Sequence, residues 1–134
     1  MESALKEIIV PFLRKNGFKG SFPNFYRSDG DFISLINFQF YSSSGSFCVN
    51  VSYADPDRKN IYIDREFEPK KLRVSQTTEH IRLKAPPDYD WFVFAETNYG
   101  DIRGTIKAPD EIAKLINKLI EQQAEPWLSG KKKK

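Results

Sequence analysis

With 134 residues the chain has room for one shared core and is short for two. Its 40% hydrophobic and 29% charged residues are ordinary for a soluble globular protein, and no apolar run approaches the roughly 20 residues of a membrane-spanning helix. The formal charge of +3 is located in the terminal Lys131–Lys134 run: without it, 17 basic face 18 acidic side chains, which argues against a broadly basic nucleic-acid surface.

The chain opens with "SALKEIIVPFLRKNGF". Leu5, Ile8, Ile9, Phe12 and Leu13 recur at helical spacing. Ser3 is a candidate cap and Gly17 a stop signal, and Pro11 predicts a kink or a break. In "FKGSFPNFYRSDGDF" a short strand is expected over Asn24–Arg27, turning through "SDGD". Phe32–Tyr41 and Ser46–Tyr53 follow as a strand pair around a turn at Ser42–Gly45. That four-residue loop sets a register in which Phe40 faces Phe47, Phe38 faces Val49 and Ile36 faces Val51. On the other side Gln39 meets Cys48, Asn37 meets Asn50 and Leu35 meets Ser52. A slip of one residue mixes apolar and polar side chains on both faces, so the segregated register is preferred.

Beyond the hairpin, "ADPDRKN" reads as a surface loop and "IYID" as a brief strand. Val74–Thr78 and His80–Leu83 are two further candidate strands, with a helical turn around Glu79 as the alternative. Trp91–Thr97 is a strand by composition, and Asp101–Ile106 one more short strand. In "APDEIAKLINKLIEQQAEPWL", Pro109 suits the first helical position, and Asp110 and Glu111 suit the positive end of the helix dipole. Ile112, Leu115, Ile116, Leu119 and Ile120 form the apolar stripe of that helix. Pro126 is expected to end it, with Trp127 and Leu128 folding back onto the core.

The expected fold is therefore α+β: an antiparallel sheet of about five to seven strands, with an N-terminal and a C-terminal helix packed on it. Residues 1–130 make one domain in this reading, and Lys131–Lys134 a disordered tail.

The chemistry-bearing residues are few. One cysteine, Cys48, and one histidine, His80, do not supply a zinc site, and no metal or cofactor is expected. The acids Asp29, Asp31, Asp55 and Asp57 stand in turn-like surroundings, where carboxylates cap backbone amides. Cys48 falls mid-strand, unlike an activated thiol, and no phosphate-binding glycine loop is present, so no catalytic residue is assigned. A lone cysteine fits a reducing compartment, and the acid-bearing amphipathic N-terminus is unlike a secretory signal, which makes a cytoplasmic location the expectation.

What remains is the polar side of the hairpin: Asn37, Gln39, Asn50 and Ser52, with Arg27, Arg73 and Arg82 as candidates to join it. Asparagine is depleted in strands, so two asparagines facing each other mid-strand call for a reason. Under water the pair is inexpensive; under another element each amide must find a partner, and the row becomes a specific device.

Several strings occur in a familiar order: "PFLRKNGFKGSFPNFYR", "INFQF", "GSFCVNV", "HIRL" before "DWFVF", and "EPWL". Together they resemble the bacterial domain-of-unknown-function family numbered 4304 over nearly the whole chain. Positions matching its recurring pattern are Gly17, Phe18, Arg27, Asn37, Phe38, Gln39, Arg82, Leu83, Trp91 and Phe92. The resemblance implies a small α+β domain and carries no assigned activity. This chain has Tyr89, Asp90 and Trp91 where family members often show a His–Trp or similar pair.

The candidate binding set is Arg27, Asn37, Gln39, Asn50, Arg82 and Trp91. The first functional reading is a non-enzymatic module that binds another protein, in a setting such as bacterial toxin–immunity pairs, through the polar sheet face. The alternative is a small-ligand binder or enzyme with a pocket between sheet and helices, using His80, Arg82, the carboxylates around Asp88, and Trp91 as a wall. A concave pocket with convergent polar groups favours the alternative; a flat face over a filled core favours the first.

Overall fold

The computed structural model describes residues 2–30, 32–40, 45–55, 72–84, 92–94 and 108–132. Its first helix, α1 (Glu2–Lys15), forms because Leu5, Ile9 and Leu13 fall on one side of a 3.6-residue repeat, and all three are fully buried. The helix begins at Glu2, so Ser3 lies in its first turn and not at the cap position. It runs through Pro11, where a kink or a break is the expectation, without being broken there. Pro11 and Glu7 are both exposed; the Glu7 carbonyl loses its helical donor, and the buried stripe outweighs that loss. Gly17, at φ 89°, reverses the chain; its N–H donates to the Arg14 carbonyl at 3.1 Å and that of Phe18 to the Leu13 carbonyl at 2.9 Å.

Six antiparallel strands follow: β1 (Lys19–Ser21), β2 (Asn24–Asp29), β3 (Phe32–Phe40), β4 (Ser46–Ala54), β5 (His80–Arg82) and β6 (Phe92–Val93). They lie in the order β1-β2-β3-β4-β5, and β6 pairs with β4 at Ser46 and Phe47, beyond the stretch that β5 occupies. The β3–β4 register is the expected one, with Phe38 opposite Val49, Asn37 opposite Asn50 and Gln39 opposite Cys48. β1 is an addition to the expected strands, and β2 extends to Asp29. Val74–Gln76 is a tight helical turn and not a strand, and Thr77 leads into β5. Its side-chain hydroxyl donates to the Val74 carbonyl at 2.6 Å, a local bond that competes with strand pairing. The expected strands at "IYID" and Asp101–Ile106 lie outside the described residues, as do Trp91, Asp88 and Asp90.

The two faces of the sheet have different fates. Phe25, Ile36, Phe38, Phe47, Val49 and Val51 form one core with the buried stripes of α1 and α2 (Pro109–Leu119). The rings interlock: Phe47 stacks on Phe40 at 4.8 Å and on Phe92 at 5.5 Å. On the opposite face, Ile33, Leu35 and Ala54 bury themselves under Leu72 and Val74. That second cluster covers one end of the face only.

At the C-terminus the helical path does not stop at Pro126. Ile120–Ala124 form a wide turn, closed by the Glu125 N–H donating to the Ile120 carbonyl, and α3 (Glu125–Lys132) continues from it. The wide turn already interrupts the regular i→i−4 ladder, which is where a residue without an N–H does least harm. Leu128 is buried and Trp127 sits edge-on to Tyr53 at 5.6 Å, so this segment does fold back onto the core. α3 also takes in Lys131, paired with Glu79, and Lys132, paired with Asp29. The first two residues of the lysine run are thus part of α3.

Candidate functional site

Four side chains stand in one row across four adjacent strands. Asn24 of β2 is opposite Asn37 of β3, Asn37 is opposite Asn50 of β4, and Asn50 is opposite Arg82 of β5. Because side chains alternate between faces, this register puts all four on the side away from the helices. The row is bonded end to end: Arg82 Nε donates to Asn50 Oδ1 at 3.3 Å, Asn50 Nδ2 to Asn37 Oδ1 at 3.2 Å, and Asn37 Nδ2 to Asn24 Oδ1 at 2.8 Å. Asn50 Nδ2 also reaches Gln39 Oε1 at 3.1 Å.

The direction of this chain follows from chemistry. A guanidinium can only donate, so Arg82 fixes the carbonyl end of Asn50 toward itself. The Asn50 amide nitrogen must then donate onward, which turns the carbonyls of Asn37 and Gln39 inward in the same way. Cys48, fully buried beside them, adds its thiol to Gln39 Oε1 at 3.5 Å and to Asn50 Oδ1 at 3.9 Å. Each carbonyl oxygen in the row therefore accepts at least one bond. Asn24 is half-exposed and Gln39 exposed at the margin of this network.

Above this floor lies a concave cavity of about 560 Å³, walled on one side by Arg73, Val74, Ser75 and Thr77 and at its far end by His80 and Arg82. Among the described lining residues none is acidic. Two arginines and a row of side-chain amides give the described lining a strongly polar character. The wall segment is held by Arg73 N–H donating to Gln76 Oε1 at 2.9 Å and by Leu72 and Val74 packed into the second cluster.

Of the candidate binding set, the structure brings Asn37, Gln39, Asn50 and Arg82 together and sends Arg27 elsewhere. Arg27 is opposite Ser34 and so belongs to the helix face. There it grips Glu125 with two bonds of 2.9 and 2.6 Å and covers the Phe18 ring at 4.5 Å. Its part is to fasten α3 to the sheet. Trp91 lies outside the described residues. The cavity lies between the sheet and the Arg73–Thr77 segment, not between sheet and helices as the alternative reading expected.

Asn24 is the residue that the sequence reading leaves out. The signal was present: with Asp29 opposite Phe32 across the short turn at Gly30, counting back along both strands places Asn24 against Asn37.

Among the described residues no group of three or more His, Cys, Asp or Glu stands where it can hold a metal ion, and no helix is long and apolar enough to cross a membrane. These features define an α+β sheet domain with a polar cavity on the sheet face opposite its helices. The chain belongs to the family described as Domain of unknown function (DUF4304), whose model matches residues 9–130. Comparison with curated proteins returns no match, and neither does comparison with solved structures.

Proposed function

We propose that this domain is a non-enzymatic binding module whose sheet cavity holds an anionic group of a small ligand. One observation carries the reading: the hydrogen-bonded Asn24–Asn37–Asn50–Arg82 row, with Gln39 and Arg73, lines a 560 Å³ cavity with no acidic described lining residue. Preorganised N–H donors bind an anion without first having to reorient. A cytoplasmic setting belongs to the same proposal, supported by the single, buried cysteine, which has no second cysteine to pair with.

The test is a titration of isotopically labelled protein with sodium acetate and with sodium phosphate at constant ionic strength, following the side-chain amide signals of Asn37 and Asn50. Saturable shifts are expected, weakened about tenfold or more in Arg82→Gln, since hydrogen bonds to charged groups contribute roughly 1.5–3 kcal/mol. Shifts that never saturate, or that are unchanged in Arg82→Gln, overturn the reading.

A protein partner is the second reading, supported by a further cavity of about 530 Å³ that shares Asn24 and Arg73 with the first and is lined by Gly20 and Ser21 of the edge strand β1. There the anion is a carboxylate on the partner's surface. Arg82→Gln would then abolish capture of that partner while leaving acetate without measurable affinity.

A further inference from the structure

Among the described lining residues of the sheet cavity, Arg73, His80 and Arg82 are the side chains able to carry positive charge. The two arginines keep their charge at any ordinary pH, and both are engaged. Arg82 Nε donates into the asparagine row and Arg73 Nη1 to the Leu72 carbonyl at 3.2 Å, and each has further contacts besides. An anion entering the cavity has to share them.

His80 differs on both counts. It opens β5 and is exposed, and among the described residues it has no hydrogen-bond or ion-pair partner. It stands two residues before Arg82, on the same face of the sheet as the polar row. Its cross-strand neighbour is Ser52 of β4, whose hydroxyl is fully buried and also lacks a hydrogen-bond partner. The imidazole is therefore not fastened to the hydroxyl opposite it.

The described charges beside His80 on the cavity face are of one sign. Arg82 lies on its own strand and Arg73 on the wall, while Ser52 and Asn50 of β4, and Leu35 opposite Ser52 on β3, are neutral. The neighbouring carboxylate, Glu79, accepts from the Tyr53 hydroxyl at 2.8 Å and pairs with Lys131 of α3. No described carboxylate is thus paired with His80 in competition with a bound anion.

Histidine is also the side chain whose charge changes between about pH 5 and 8. A protonated ring is a cation with two N–H donors; a neutral ring keeps one donor and one acceptor. Mild acidification therefore adds a positive charge and an unshared donor at the end of the cavity where Arg82 stands.

Resting on the anion reading above, we infer that His80 is a binding residue of this cavity and makes its hold on an anion pH-dependent. Binding is tighter with the imidazole protonated and weaker with it neutral.

The test is a titration of the full chain with methanesulfonate, which keeps one negative charge throughout, at about pH 5.5 and about pH 8 and constant ionic strength. His80 is the one histidine of the sequence, so its ring-proton signal is unambiguous, and the Asn37 and Asn50 amide signals report on the floor. Affinity is expected to be about threefold higher or more at the lower pH, as one added charged contact at a partly exposed position supplies. The His80 signal should follow the same saturation curve, and the gain on acidification should vanish in His80→Gln. Saturable binding of equal strength at the two pH values overturns the role of His80 and leaves the anion site standing. So does a gain that survives in His80→Gln, or a His80 signal that stays still while Asn37 and Asn50 respond. No saturable response at Asn37 or Asn50 at either pH overturns both readings. The two pH values compared on the unmodified chain decide the matter even where His80→Gln fails to fold.

Discussion

Arg27 and Glu125 face each other across the core side of the sheet in a two-pronged ion pair, with nitrogen–oxygen distances of 2.9 and 2.6 Å. The side chains are 23% and 32% exposed, so the pair is partly shielded, and Arg27 also donates to the Asn16 carbonyl at 3.2 Å. One guanidinium thereby ties together β2, the end of α1 and the start of α3. Arg27→Ala should lower stability by about 2–3 kcal/mol, through the lost charged bonds and the lost cover of Phe18. Arg27→Lys should recover little, because a point charge cannot make the fork. Urea unfolding midpoints of the two variants check this, and a loss below about 0.5 kcal/mol for Arg27→Ala would show that α3 is held by its apolar contacts alone.

The polar row predicts a gradient. Asn50 is 6% exposed and makes bonds in three directions, so Asn50→Ala removes at once the bonds to Arg82 Nε, Asn37 Oδ1 and Gln39 Oε1. A cost of about 2 kcal/mol is expected, since buried groups left without partners lose more than the net worth of one bond. Asn24, half-exposed at the end of the row, should cost about 0.5 kcal/mol or less as alanine. Thermal or urea unfolding of both variants measures the ratio. Equal costs would mean that the row is four independent contacts.

Much of this arrangement could be read from residue order, and the misses have identifiable physical causes. The Phe38–Val49 and Asn37–Asn50 pairs followed from one loop length and the period of two, which leave little freedom when one face is apolar. Arg27 was grouped with the polar face because no register fixed the phase of β2; the count from Asp29 and Phe32 supplies it. Pro126 reads as a stop and Pro11 as a kink or a break because local propensity is all that a sequence window shows. In the fold, burial of Leu5, Ile9 and Leu13 on one side and of Leu128 on the other outweighs a missing N–H. The cavity itself was not legible, since its wall at Arg73–Thr77 is a tight turn where strands were expected.

Pro11 gives the converse test. It is exposed in the middle of α1, and its ring and missing donor cost the helix a bond to the Glu7 carbonyl. Pro11→Ala should therefore stabilise the protein by about 1 kcal/mol or more, less than the full helix-interior penalty because the unfolded chain also gains freedom. Denaturant unfolding checks the sign. A destabilised Pro11→Ala would indicate that the proline shapes α1 for its packing on α2.

Tyr53 sets the alkaline limit of the fold. Its ring stacks on Phe32 at 5.5 Å and meets Trp127 at 5.6 Å, and its hydroxyl donates to Glu79 Oε2 at 2.8 Å. Burial, first, and then the hydrogen bond to and charge of Glu79, with a further contribution from Asp55, raise its pKa from 10.0 to about 12. The folded state thus favours the neutral phenol, while the unfolded chain ionises near the ordinary value. Stability from this difference is fully present below pH 10, declines as pH rises, and is lost through about pH 12. The same Glu79 carboxylate pairs with Lys131, whose ammonium also lies over the Trp127 ring at 5.6 Å, so ionising Tyr53 places a second negative charge where α3 is anchored. Tyr53→Phe removes the titrating group and keeps the ring. Between pH 10 and 12 the variant should lose less stability than the parent chain, and a tyrosinate absorbance step near pH 12 should vanish from its difference spectrum. Parallel pH profiles for the two proteins would mean that Tyr53 ionises as freely in the fold as out of it.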